Sequence, residues 1–193
     1  MADFKNQLME FIMNWRLTII AGTATILLSG NTFAVKPLDK ELPFYGEFSG
    51  HLIGFNNDID AITARCSPPV GQVAWAIASF EGWGDVTHLG WTHVYAEHCS
   101  YRPEFGPPVG EYGEGTLRLT ADNGDLLTGT YTDGTTNPQF DPIFYFMDYF
   151  TFDNGGDGRF NIALGEGVEV GSLDVSSGAF TLEMTGVISY SKK

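Results

Sequence analysis

The stretch that most restricts the fold of this chain is Asn123-Gly124, set between Thr116-Leu-Arg-Leu-Thr120 and Leu126-Leu-Thr-Gly-Thr-Tyr131. Two short segments rich in β-branched and apolar residues, joined by Asn-Gly, read as an antiparallel hairpin. A two-residue type I′ turn needs φ > 0 at both central positions, which Asn and Gly tolerate best. The expected pairing is 113–120 with 125–133, around a type I′ tip. Antiparallel β is therefore the starting point for the rest of the chain.

The flanking sequence repeats that pattern. Tyr45 to Phe55 reads as a strand loosened by Gly46, Gly50 and Gly54. Ile59 to Cys66 is read as a second strand, ended by Pro68-Pro69. Val73, Trp75 and Ile77 alternate with Ala74, Ala76 and Ala78, giving one bulky and one small face. Thr87 to Cys99 reads as one long strand bent at Gly90. Asp141 to Phe152 follows, then strands near Val168–Val175 and Ala179–Tyr190. In the last of these, Phe180, Leu182, Met184, Ile188 and Tyr190 share a face. Gly 24 and Pro 9 punctuate the chain at short intervals, and no convincing helix is expected. With 43% hydrophobic residues there is enough apolar material for one core. Eight or nine strands with short sequential connections predict an all-β fold, a single antiparallel up-and-down β-barrel of about eight strands. Closure disposes of the exposed edges.

The first 34 residues read as a signal peptide. Lys5 and Arg16 precede the apolar run Leu17–Leu28, and Thr32 and Ala34 fit the small-residue exit, placing cleavage after Ala34. The run is short for a bilayer-spanning helix, which needs roughly 20 apolar residues. Met9 and Met13 are alternative starts of translation. Residues 35–193 then form the barrel domain, secreted or periplasmic, with no stable membrane insertion after cleavage. Cys66 and Cys99, an even count in an oxidising compartment, are read as a disulfide. His98 is an unsuitable activator for a nucleophilic Cys99, because strand neighbours point to opposite faces.

A formal net charge of −14 leaves nothing to neutralise a row of phosphates, so nucleic acid is an unsuitable partner. The same charge argues against adhesion to an anionic membrane surface.

Three groups of residues carry a resemblance. Thr87-His-Leu-Gly90, Gly113 to Asp125, and Gly155-Gly-Asp-Gly-Arg-Phe160 with Ala163 and Gly165 resemble a group of bacterial secreted proteins of unknown role. Those proteins are in turn similar to the allene oxide cyclase and dirigent barrels, where a Gly-x-Gly-Arg/Lys-Phe turn recurs. The resemblance spans roughly residues 82–186 and consists mostly of turns. It implies an eight-stranded barrel of calycin type. The cyclase's catalytic residues have no counterpart here, and the Gly-x-Trp signature of lipocalins is missing.

Candidate chemistry centres on Pro142-Ile-Phe-Tyr-Phe-Met-Asp-Tyr-Phe-Thr-Phe152. Phe144, Phe146, Asp148 and Phe150 share one face and are the candidate ligand-pocket residues. Tyr145, Met147 and Tyr149 share the other and need cover, from a terminal segment or from a second copy in a homo-oligomer. A carboxylate among phenyl rings is costly to desolvate unless paired or held neutral. Asp148 is expected either to orient a ligand's polar head or act as an acid/base in a pocket, or else to pair with a neighbouring strand through Arg118 or Arg159 or lie exposed on an outer face.

His88, His93 and His98 do not have zinc spacing, and His88 is read as a structural residue bonded to backbone. Asp153 to Gly158 resembles half a calcium loop, but Leu164 stands where the bidentate Glu belongs, so a hairpin turn is the stronger reading. No cofactor, metal or catalytic fingerprint is recognised. The leading functional expectation is a barrel that binds a small apolar ligand. The alternatives are an isomerase or cyclase acting on an unsaturated, lipid-like substrate, and a structural module with a filled core.

Overall fold

In a computed structural model, residues 40–106, 110–132, 134–140 and 142–191 are described. The expected signal peptide and its cleavage point lie outside these residues. Nine strands are present among them: β1 (Leu42–Asn56), β2 (Gln72–Val86), β3 (Gly90–Pro103), β4 (Glu111–Ala121), β5 (Leu126–Tyr131), β6 (Gly134–Phe140), β7 (Ile143–Gly156), β8 (Leu164–Asp174) and β9 (Ala179–Ser189). All pairings are antiparallel, and β3–β4 and β9–β1 close the sheet into a barrel. Both β5 and β6 pair with β4 on one side and β7 on the other, so they share one position and the barrel has eight staves. The chain visits those positions in order, as an up-and-down meander.

Alternation in the sequence explains which side chains turn inward. Along β1, Phe44, Gly46 and Phe48 are buried, while Tyr45, Glu47 and Ser49 are exposed. Along β9, Phe180, Leu182, Met184 and Ile188 are all buried, as their shared parity requires. The lower part of the barrel is filled. Phe44 packs edge-on to Phe152 with ring centroids 5.0 Å apart, and Phe150 lies 5.0 Å from Phe152.

Below these rings the barrel end is stoppered by Leu89, Phe160, Ala163 and Tyr190. Phe160 ends a 3-10 turn, Gly158–Phe160, which belongs to the Gly-Asp-Gly-Arg-Phe motif. Arg159 covers the Phe160 and Tyr190 rings, pairs with Asp125 at 2.8 Å and donates to the His88 carbonyl.

The structure corrects four of the local expectations. Residues Ile59–Arg65 form a helix, α1, rather than a strand. The Asp58 carboxylate caps it, accepting from Ala61 N–H at 2.9 Å, and Asp60 and Arg65 complement its dipole at the two ends.

The Asn123-Gly124 tip is not type I′. Only Gly124 has positive φ (85°), and Gly124 N–H donates to Ala121 carbonyl at 2.9 Å. Ala121 N–H also bonds Asp125 carbonyl, giving a three-residue loop with Gly124 in the left-handed position. Asn123 Oδ1 accepts from Asp125 N–H, which holds the Asn conformation that a type I′ turn would forbid.

The segment at Gly90 is not a bend within a strand. Thr87-His-Leu is a turn between β2 and β3, with φ 70° at His88 and 76° at Gly90. Finally, a bulge between Ala74 and Ala76 breaks the expected face of β2, turning Trp75 inward and Ile77 outward.

Cys66 and Cys99 are disulfide-bonded, with Cα atoms 5.8 Å apart. The bond fixes the end of α1 to the outer face of β3. Ile62, Ile77 and Tyr101 complete a small apolar cluster there. Arg65 reinforces it, reaching Glu97 Oε2 at 2.7 Å. No described helix is long and apolar enough to cross a membrane.

Candidate functional site: an acid pair in a half-hollow barrel

The upper part of the barrel is not filled. A cavity of about 290 Å³ lies between Phe80, Ala96, His98, Phe144, Phe146 and Phe180, with Phe55, Trp75, Thr136 and Val175 toward its mouth. Its origin is the residue choice on β2 and β3, where Ala78, Ala96 and Ser100 face inward opposite the β7 rings. These side chains are too short to meet the rings across the barrel.

Strand β8 sets the inner wall together with β7, and the two are complementary residue by residue. Phe152 pairs with Gly165, Phe150 with Gly167, Phe146 with Gly171 and Phe144 with Leu173. A methyl group on any of those three glycines would collide with the opposing ring. Between the Phe146–Gly171 and Phe150–Gly167 pairs this alternation of ring and glycine is interrupted, and Asp148 pairs with Glu169. Both are inside, with side chains 2% and 4% exposed by residue.

The expected ion pair with Arg118 or Arg159 is therefore absent, since Arg159 is engaged with Asp125 and Asp148 faces a second acid. Among the described residues, no Lys or Arg lines the cavity.

Two carboxyls in contact in an apolar wall cannot both be ionised. Burial pushes both above the usual carboxylate range. The neighbouring Glu169 and the Tyr112 hydroxyl pull Asp148 part of the way back, whereas proximity to Asp148 pushes Glu169 higher still. Tyr112 donates to Asp148 Oδ2 at 2.5 Å, whereas Oδ1 is buried and has no hydrogen-bond partner. Burial and mutual proximity thus favour protonation somewhere on the pair, against the ordinary behaviour of free carboxyls.

Around the pair stand neutral groups. Tyr131 and Tyr112 are kept protonated, chiefly by burial. His98 Nδ1 lies 3.1 Å from Tyr131 Oη, and its ring stacks on Tyr112 at 4.5 Å. Burial, with the Arg65 charge behind it, holds His98 down to about 3, so its imidazole is uncharged near neutrality. An acid, a carboxylate and two phenols around an apolar space can orient a polar group or pass one proton to and from it.

Of the residues singled out from the sequence, Phe144, Phe146 and Asp148 line the cavity. Phe150 points the same way but lies deeper, fully buried against Phe44 and Phe152. Tyr145, Met147 and Tyr149 face outward and are 42%, 42% and 44% exposed. His88 bonds the Pro43 carbonyl through Nε2 at 2.9 Å, a structural role at the stoppered end. His93 is on the outer face beside Trp83 and Glu81.

Asp157 caps the 3-10 turn through Gly158 N–H, in the connection from β7 to β8. The one cluster of three metal-ligand side chains among the described residues is Cys66, Cys99 and Glu114, and both sulfurs are already bonded to each other.

Glu169, Tyr112, Tyr131 and the inward side of His98 escaped the sequence reading. A signal for Glu169 did exist: Gly165-x-Gly167-x-Glu169-x-Gly171 is the antiparallel complement of Phe146-x-Asp148-x-Phe150-x-Phe152. Comparisons with protein-family models, curated proteins and solved structures found no match to this chain.

Proposed function

We propose that this chain is a secreted or periplasmic binding protein whose barrel holds a small, mostly apolar ligand, with the ligand's polar end against Asp148 and Glu169. The observation that carries this reading is the half-hollow barrel itself. Its cavity of about 290 Å³ has an apolar aromatic wall and one buried acid pair. That volume lies just under the usual range for ligand pockets, about 300–1,000 Å³, and a few polar groups in an apolar wall match their usual lining. The Cys66–Cys99 bond supports an oxidising compartment. A purely structural module would gain from filling the space, since voids forgo dispersion contacts.

A second reading is favoured by a specific observation. Two neighbouring carboxyls, both held above the usual range by burial, stand beside an apolar space, which suits an isomerase or cyclase moving a proton on an unsaturated substrate.

Native mass spectrometry of mildly purified protein tests the first. A co-purifying small molecule should be retained by the parent and lost from Ala96→Phe, whose added ring occupies the cavity. A parent that carries nothing and takes up no apolar compound would overturn it. Incorporation of solvent deuterium into the bound compound would select the second reading.

A further inference from the structure

The ligand's polar end can be assigned a chemical class from the groups that face it, and this step rests on the binding reading above. The walls offer aromatic faces from Phe80, Phe144, Phe146 and Phe180. The polar capacity of the cavity is dominated by acceptors. The Tyr112 hydroxyl is already spent on Asp148, and the Tyr131 hydroxyl is engaged with His98. Besides the Ser100 hydroxyl and the second ring nitrogen of His98, what remains open to a ligand is the carboxyl pair, where Asp148 Oδ1 is buried without a hydrogen-bond partner.

The other ionisable groups facing that pair are Tyr112 on β4, Tyr131 on β5 and His98 on β3, all uncharged. Glu111, nearer the mouth, adds acidity rather than relieving it. No Lys or Arg lines the cavity among the described residues, so a charge on the pair has no protein counter-ion.

A buried charge without a partner is costly, and the group that completes it is a cation. Aromatic faces around a desolvated cation add attraction of their own. A carboxylate or phosphate head would meet only repulsion there.

We infer that the cavity selects a small apolar amine, bound as its ammonium ion against Asp148 and Glu169 with its hydrocarbon part among the phenyl rings.

Three probes that share a phenylethyl group separate the possibilities: 2-phenylethylamine, 2-phenylethanol and 3-phenylpropanoate. Each is titrated into the disulfide-intact protein at neutral pH by calorimetry, with Trp75 fluorescence as a second readout. The amine should bind at least about tenfold more tightly than the alcohol, and the carboxylate should not bind measurably. Glu169→Gln leaves one carboxyl, Asp148, to pair with the ammonium and should keep the preference. Asp148→Asn combined with Glu169→Gln removes both carboxyls and should level the amine with the alcohol while the alcohol still binds.

Alcohol binding equal to or tighter than amine binding in the parent would overturn the amine assignment and leave the binding reading standing. Survival of the preference in the double variant would also overturn the assignment. Failure of all three probes would bring down both. If the variants do not fold, the ranking in the parent protein decides.

Discussion

The two halves of this barrel are built from the same strands and behave differently. In the lower half, the β7 rings Phe150 and Phe152 lie over Gly167 and Gly165 and meet Phe44 from β1. In the upper half, Phe144 and Phe146 continue the same face, but Ala78, Ala96 and Ser100 stand across from them and leave a cavity. The boundary is the Asp148–Glu169 pair. One aromatic strand therefore serves as core at one end, where Phe44 of β1 meets its rings, and as wall at the other, where Ala78, Ala96 and Ser100 stand across from them. Large rings on a single strand do not by themselves indicate a pocket.

The largest expected effect tests that division directly. Phe150→Ala should cost about 3–5 kcal/mol, the usual range for a fully buried phenylalanine. Phe146→Ala, which lines a space already open, should cost clearly less. Denaturant unfolding of the two variants measures the difference, and equal losses would mean that the halves are not distinct.

Next in size is the disulfide. Replacing both Cys66 and Cys99 by Ala releases a cross-link with a sequence separation of 33 residues. The expected loss is roughly 2–4 kcal/mol, read as a fall in the unfolding midpoint. Because the bond sits beside α1 at the hollow end, ligand affinity should fall as well. The Phe150 variant, where folded, should keep its affinity.

A smaller effect belongs to the hairpin tip at the packed end. Gly124 has φ 85° with open space around its Cα, so Val there suffers backbone strain rather than collision. Gly124→Val should lower stability by about 1–2 kcal/mol and leave cavity binding unchanged. An unaltered unfolding midpoint would contradict the left-handed conformation at that residue.

The subtlest effect is a slope with pH. The carboxyl pair is raised above its unfolded values. Its contribution is therefore present below the ordinary carboxyl range, near about pH 4, and is lost as pH rises through the raised pKa. His98 has the opposite sign. Its pKa is lowered to about 3, so its contribution is present above the ordinary histidine value and is lost as pH falls toward 3. Glu169→Gln keeps a donor to Asp148 without needing a proton, and should flatten the decline in stability between mildly acidic and alkaline pH. Thermal melts across that range check it, and an unchanged slope in the variant would show that the pair does not share a proton.

Some of this was legible in the residues alone, because it depends on local geometry. Period-two alternation assigned the inward face of β9 and placed Asp148 opposite Tyr145, Met147 and Tyr149. Gly124 marked a hairpin tip, and the paired cysteines marked a disulfide. The same local reasoning failed where a subtle competition decided the outcome. Helix α1 is only seven residues long and depends on a single cap at Asp58, so its period is too short to read. The bulge at Ala74–Ala76 reverses parity without any glycine or proline to announce it.

The acid pair lay further out of reach. Asp148 and Glu169 are brought together by the register of β7 against β8, and Tyr112 reaches them from β4, 36 residues away. The cavity depends on strands β2 and β3, which are remote from β7 in the chain. Side-chain direction along a strand is local and follows from the sequence. Which side chains meet, and whether they fill the space between them, is set only when the barrel closes.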